Sequence, residues 1–253
     1  MCSLGARLVD RIIDPMVWPT LRRGQMFIPT YDVGGTECMV VTRDDAIGWV
    51  LYCHGNSVSL SDLHDSGIPR QMVEKCRCNF VAPSYPDKLH IGKGHDDAVV
   101  DAVRRAYDQL CTDSRGPIYV VGRSIGVGVA LQACAQSAPA GLVLISGFSS
   151  IKSMAPWGLQ WVLPARFDNI GAIRQMKGVP KLIVHGEKDE LVPVRNAYAL
   201  DDASDSCTLH RVADMTHIPS AENIHEICDC MRTLIQAHST PSMRNPHYLL
   251  WKT

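Results

Sequence analysis

The chain has 253 residues, of which 46% are hydrophobic, enough to bury one large core. Its 25 Lys and Arg residues nearly balance its 26 Asp and Glu residues, so the charge gives no reason to expect nucleic acid or an anionic surface as a partner. The apolar runs fall short of the roughly 18 residues that a transmembrane helix needs. No signal-peptide pattern is present, and we expect a cytoplasmic protein.

Residues 1–34 are interpreted as a separate N-terminal segment. Cys2 is a candidate for S-acylation, although one acyl chain alone gives only marginal membrane attachment. The apolar stretch 8–21, flanked by arginines, could supply a second contact. The sequence leaves two alternatives open, a segment in peripheral contact with a membrane and a segment packed on the domain.

Strand-like and helix-like segments alternate along residues 35–238. Strands are predicted at 38–42, 47–53, 79–82, 118–121, 141–146, 181–184 and 208–212. Helices are predicted at 60–75, with a candidate interruption at Pro69, at 96–110 and at 127–135. This alternation predicts one α/β domain with a mostly parallel central sheet and helices on both faces. Residues 239–253 are expected to form an extended tail.

Two glycine-containing turns follow buried strands, at the end where open parallel sheets place their sites. The first is His54–Asn56, where a backbone N–H near Asn56 would serve an oxyanion hole. The second is Gly122–Gly126, a G-x-S-x-G pattern between a strand and a helix, which is typical of a nucleophile elbow. Ser124 is the candidate nucleophile, and the N–H of Ile125 is the second candidate oxyanion donor. The two glycines of this turn leave room only for hydrogen.

Residues 147–180 break the alternation and are expected to cross over the site as a small cap. Trp157 and Trp161 are candidate substrate-binding residues, because apolar walls suit a fatty acyl chain. The alternative is that these tryptophans only pin the cap to the core.

A serine hydroxyl needs an adjacent base, and a candidate acid and histidine follow the last two predicted strands. Asp189 comes just beyond the strand at 181–184, and His217 lies in the loop after the strand at 208–212. This chain order predicts a triad in which His217 accepts the proton of Ser124 and Asp189 orients the imidazole. Arg123, beside the serine, either binds an anionic group of the substrate or forms a structural ion pair, and the ion pair is favoured.

The ten cysteines show no C-x-x-C spacing. Cys76–Cys78 and Cys228–Cys230 are spaced too closely for a metal finger. We expect reduced thiols, with Cys53 and Cys134 buried as small apolar residues. Neither a metal nor an organic cofactor is expected.

These motifs resemble those of the α/β-hydrolase superfamily over about residues 35–238, and most of all the subgroup of α/β-hydrolase domain-containing protein 17. The likeness is carried by Leu51–Asn56, Ser124–Gly126, Phe167–Ile170 and His185–Glu190. Two places depart from it. Thr216 stands where a glycine usually precedes the histidine, and Pro83–Asp87 replaces a glycine-rich tyrosine loop. The resemblance implies the α/β-hydrolase fold and hydrolysis of palmitoyl thioesters on membrane-attached proteins.

We therefore expect a serine hydrolase that cleaves ester or thioester bonds through an acyl-enzyme. Its substrate would be an acylated protein, or a lipid or small ester. One alternative is a lipase or carboxylesterase. Another, from a different class, is a catalytically silent hydrolase fold that binds a ligand or protein, which the presence of both Ser124 and His217 disfavours.

Overall fold

The structure is a computed structural model that describes residues 29–56, 58–86, 93–114, 116–154 and 166–238. The strands are β1 (Thr30–Asp32), β2 (Glu37–Val41), β3 (Trp49–Cys53), β4 (Asn79–Pro83), β5 (Ile118–Arg123), β6 (Gly141–Ile145), β7 (Lys181–Gly186) and β8 (Cys207–Val212). The helices are α1 (Leu60–Asp65), α2 (Ile68–Cys76), α3 (Lys93–Asp113), α4 (Ile125–Ala133), α5 (Asn169–Gln175), α6 (Arg195–Asp202) and α7 (Ala221–His238). A short 3₁₀ helix covers Ile151–Met154.

The strands form one sheet in the order β1-β2-β4-β3-β5-β6-β7-β8. The pairings of β2 with β1 and β4 are antiparallel, and all the other pairings are parallel. The carboxyl ends of the six parallel strands β3 to β8 therefore meet at one edge. This topology confirms the predicted α/β class with a mostly parallel sheet.

Two apolar clusters cover the two faces of the sheet, because side chains alternate along each strand. In β3, Leu51 and Cys53 face the cluster that includes α3, α4 and α6. Val50 and Tyr52 of the same strand face the cluster built on α2 and α7. The sheet is thus buried on both sides, which accounts for the continuous apolar runs of its central strands.

Three elements differ from the sequence expectation. The predicted helix at 60–75 is two helices, and the break lies at Gly67, which has a left-handed φ of 72°. Pro69 itself is accommodated in the first turn of α2, where its missing N–H costs no hydrogen bond. Strand β1 was not predicted, since it is three exposed residues long, and α5 was not predicted within residues 147–180.

Within the described parts of the chain, no helix combines the length and hydropathy needed to cross a bilayer. The same residues contain no group of three or more His, Cys, Asp or Glu side chains arranged to hold a metal ion. The nine cysteines among them are free thiols, and Cys53 and Cys134 are buried, as predicted.

Candidate active site

The turn between β5 and α4 carries Ser124 in a strained conformation. Its φ is 54° and its ψ is −122°, a region that residues with a side chain rarely adopt. A Cβ on Gly122 would lie 2.6 Å from the Gly126 carbonyl oxygen, and one on Gly126 would lie 2.7 Å from the His54 carbonyl oxygen. Both positions therefore admit only glycine, as the sequence predicted, and the turn packs directly against the end of β3.

Ser124, His217 and Asp189 form a continuous hydrogen-bonded relay. The Ser124 hydroxyl lies 3.0 Å from His217 Nε2 and donates to it. On the other side of the ring, His217 Nδ1 donates to Asp189 Oδ2 at 2.9 Å. The structure thus brings the three predicted triad residues together from β5, β7 and β8, in the geometry required of a nucleophile, a base and an orienting acid.

Asp189 is buried, yet it is held in its ionised form. Burial by itself raises the pKa of this carboxyl group, but hydrogen bonds from His217 and from the Val192 N–H outweigh it and lower the pKa below 3.8. Its other oxygen, Oδ1, accepts from the N–H groups of Leu191 (3.0 Å) and Val192 (2.7 Å). The side chain is therefore fixed by backbone donors as well as by the imidazole.

His185, at the end of β7, stabilises the turn that carries Asp189. Burial lowers its pKa, so the imidazole is neutral at neutral pH. Its Nε2 donates to the Val192 carbonyl oxygen at 2.7 Å, and the N–H of the same Val192 binds Asp189. The turn that presents the carboxylate is thereby closed by a second histidine, whose role the sequence analysis did not foresee.

The loop that carries His217 is closed by the threonine that replaces the usual glycine. Thr216 Oγ1 donates to the Ile218 carbonyl oxygen at 3.0 Å, across the histidine. Thr216 is not among the described residues with positive φ, so its backbone does not require a glycine. Met215, which precedes Thr216, is fully buried, and its carbonyl oxygen accepts from the Lys188 N–H in the turn after β7 at 3.2 Å.

The candidate oxyanion donors lie in the turns after β3 and β5. Ile125 is the first residue of α4, and the N–H groups of a first helical turn lack partners within the helix. Asn56 lies two residues after His54, a buried histidine whose Nδ1 donates to the Gly55 carbonyl oxygen at 3.0 Å. Burial is the main cause that lowers the pKa of His54 to about 4, so its ring is neutral and orients the turn rather than transferring protons.

Tyr85 holds this turn from the loop after β4. Its ring stacks on His54 with centroids 3.8 Å apart, and its hydroxyl donates to the His54 carbonyl oxygen at 2.9 Å. Burial raises the pKa of Tyr85 well above 10, which keeps the donor protonated. The segment that departs from the glycine-rich tyrosine loop therefore still supplies a tyrosine that fixes the turn carrying the candidate oxyanion donor.

Two buried asparagines fasten the described ends of the segment 147–180 to the domain. Asn196, in the first turn of α6, accepts through Oδ1 from the Ser149 N–H (3.1 Å) and from the Ser153 hydroxyl (3.0 Å). Asn169 donates to the Phe148 carbonyl oxygen at 2.8 Å. Phe167 lies against α4, since a Cβ on Gly128 would come within 2.8 Å of its ring. The Phe167–Ile170 motif is thus a structural anchor beside the nucleophile helix.

Exposed apolar side chains stand beside the candidate acid and base. Ile218, next to His217, is 75% exposed, and Leu191, two residues after Asp189, is 63% exposed. Only two other large apolar side chains among the described residues are markedly exposed, Tyr31 and Tyr198. We call Leu191 and Ile218 the apolar lip of the site.

Three predicted functional residues, Cys2, Trp157 and Trp161, lie outside the described residues. The ion pair favoured for Arg123 is not found, because no carboxylate of the described residues lies within ion-pair distance of its guanidinium. Arg123 instead donates through Nη2 to the His217 carbonyl oxygen at 3.0 Å. The roles of His185 and Tyr85 were missed, since neither carries a local sequence signal.

No family model matches the chain. Protein bem46 of Schizosaccharomyces pombe is 38% identical over 89 residues, a match that covers 32% of this chain and only 30% of that protein. Similar solved structures include an esterase/lipase from an uncultured bacterium, with a TM-score of 0.66 and 17% identity, covering 90% of this chain and 89% of that one. A hormone-sensitive lipase from a metagenome library gives a TM-score of 0.65 at 17% identity, covering 94% of each chain.

A meta-cleavage product hydrolase from Pseudomonas fluorescens gives a TM-score of 0.63 at 14% identity, covering 83% of this chain and 98% of that one. At these identities the likeness concerns the fold. Together with the strand order and the strand–turn–helix at Ser124, it shows that this chain has the α/β-hydrolase fold, as the sequence predicted.

Proposed function

We propose that the protein is a serine hydrolase that cleaves ester or thioester bonds through a covalent acyl-enzyme. The observation that carries the proposal is the relay from Ser124 through His217 to Asp189, with donor–acceptor distances of 3.0 and 2.9 Å. The names of the similar structures, which include esterases and lipases, support ester hydrolysis as the reaction class.

In the acylation step, Ser124 Oγ attacks the acyl carbonyl carbon while its proton passes to His217 Nε2. The negative charge that develops on the carbonyl oxygen would be stabilised by the N–H of Ile125 and by an N–H near Asn56. The carbon–oxygen or carbon–sulfur bond to the leaving group then breaks, and His217 returns the proton to that group. Asp189 stabilises the imidazolium between these transfers.

Deacylation repeats the sequence with water as the nucleophile. His217 accepts a proton from water, and the hydroxide attacks the acyl carbonyl. Ser124 then leaves with the proton from His217, and the acid product is released. Each step uses only groups of this chain and water, so we propose no metal or organic cofactor.

The substrate class is proposed from the apolar lip together with the resemblance to α/β-hydrolase domain-containing protein 17. Leu191 and Ile218 would contact an apolar group that reaches the triad from outside, which suits a long acyl chain. We therefore propose a protein S-acyl thioesterase that acts in peripheral contact with a membrane. In this proposal Cys2 of the enzyme is itself S-acylated, and Trp157 and Trp161 contact the acyl chain of the substrate. A lipase or carboxylesterase on lipid or small esters is the alternative.

The test is labelling of the purified protein with a fluorophosphonate probe, beside Ser124→Ala and His217→Gln variants. Labelling in the wild type and its loss in Ser124→Ala would identify the nucleophile, and the variant should lose about a millionfold in kcat. A correctly folded wild type that resists the probe would contradict the proposal and favour a binding role. Rates on p-nitrophenyl esters and on acyl thioesters of increasing chain length would then separate the substrate classes.

A further inference from the structure

We propose that Arg123 is a positioning residue that holds the His217 loop in register with Ser124. This inference rests on the proposed function, because it concerns how the same triad is assembled. The residue directly before Ser124 carries a long cationic side chain whose contacts join three segments of the site.

The guanidinium reaches two loops at once. Nη2 donates to the His217 carbonyl oxygen at 3.0 Å, between residues 94 positions apart. Nη1 packs on the oxyanion turn, where a Cβ on Gly55 would lie 3.1 Å from it. Because Arg123 is the residue directly before Ser124, one side chain connects the nucleophile turn, the histidine loop and the oxyanion turn.

The charge of Arg123 has no partner that would explain it as an ion pair. No Asp or Glu of the described residues pairs with it, and its Nε is buried without a hydrogen bond among these residues. A cation in such surroundings costs stability relative to an apolar side chain of the same length. We infer that this destabilising cation is kept because its hydrogen bond to the His217 carbonyl oxygen positions the base.

The bond matters because the base must keep two contacts simultaneously. His217 has to stay within hydrogen-bond distance of Ser124 Oγ and of Asp189 Oδ2. Its loop is fixed on the N-terminal side by buried Met215, and Arg123 fixes the carbonyl of the histidine itself. A displacement of about 1 Å in such a group costs on the order of a hundredfold in rate.

The experiment compares Arg123→Met with Arg123→Lys, and uses Arg70→Met as the matched control, since Arg70 is exposed and contacts Glu74 on its own helix. Kinetics are measured with neutral p-nitrophenyl butyrate and with the monoanionic p-nitrophenyl succinate, and folding is checked by circular dichroism. We expect Arg123→Met to lose about a hundredfold in kcat on both esters with unchanged KM. Arg123→Lys, which retains a charged donor group, should recover most of this loss.

Two results would overturn the inference. One is a folded Arg123→Met with wild-type kcat, and the other is a rise in KM for the succinate ester alone, which would assign Arg123 to an anionic substrate group. If Arg123→Met does not fold, Arg123→Gln takes its place with the same expectations. A different result would contradict the proposed function. That result is a wild-type protein that the fluorophosphonate probe does not label at Ser124, and it does not depend on the Arg123 variants.

Discussion

Replacing His54 with asparagine is expected to weaken the pH dependence of the protein's stability in mildly acidic solution. His54 is 4% exposed, stacks on Tyr85 and donates to the Gly55 carbonyl oxygen. Burial lowers its pKa from 6.5 to about 4. Below pH 6.5 the unfolded chain therefore binds a proton at this histidine that the folded chain refuses until the pH reaches about 4, and stability falls as the pH falls through this interval.

The size of the effect follows from the two pKa values. Between about pH 7.5 and about pH 5, the proton taken up by the unfolded state should cost the wild type about 2 kcal/mol of unfolding free energy. Asparagine retains a donor for the Gly55 carbonyl oxygen but does not titrate. The free energy of unfolding of His54→Asn should thus fall by about 2 kcal/mol less than that of the wild type over the same interval.

Urea unfolding followed by tryptophan fluorescence and circular dichroism at both pH values measures this double difference. The subtraction cancels the contributions of other groups with altered pKa values, such as His185 and Asp189, provided that they are the same in both proteins. Equal losses in the wild type and in His54→Asn would refute the reasoning and would mean that the folded turn accepts the proton.

Two further predictions concern the apolar lip and the nucleophile turn. Ile218→Asp should leave stability unchanged, because the side chain is 75% exposed, but should lower kcat/KM on a long-chain ester about tenfold relative to an acetate ester. Tyr31→Ser is the matched control, because Tyr31 is exposed on β1, the outermost strand on the side away from β8. Equal losses on both esters in Ile218→Asp would argue against contact of Ile218 with the acyl chain. Gly126→Ala should lower the free energy of unfolding in urea by about 2 kcal/mol, since its Cβ would lie 2.7 Å from the His54 carbonyl oxygen. Wild-type stability of this variant would mean that the turn has room for a methyl group.

The parts of the site that the sequence predicted are those with a local mechanical cause. A serine between two glycines, placed between an apolar run and a helix of small residues, specifies a tight turn. In that turn the two glycine positions have no room for a side chain. Asp189 and His217 were found because parallel strands bring their carboxyl ends to one edge. Neither inference required knowledge of a contact between distant residues. Each required only the hydrophobic pattern that predicts strands and helices and the order of those elements along the chain.

The contacts that hold these residues in place could not be predicted, because each joins segments distant in sequence. The Tyr85 hydroxyl reaches His54 over 31 positions, and Arg123 reaches His217 over 94. Asn196 binds Ser149 over 47 positions. Such polar side chains look like ordinary loop residues until the loops are folded together. Arg123 has the structural contact that was favoured over substrate binding, but this contact is a hydrogen bond to a backbone carbonyl and not an ion pair.

Ser146, in the loop next to Ser124, offers a separate test of how strain is distributed around the site. It has a left-handed φ of 48°, it is fully buried, and its hydroxyl has no hydrogen-bond partner among the described residues. Glycine adopts this conformation without strain and removes the unsatisfied hydroxyl, while the N–H keeps its bond to the Val184 carbonyl oxygen at 2.9 Å. After the entropy that glycine adds to the unfolded chain is subtracted, Ser146→Gly should gain about 1 kcal/mol. A loss of stability in urea unfolding would mean that the buried hydroxyl makes a bond essential to the fold, and that this strained position is maintained for its side chain, as Ser124 is.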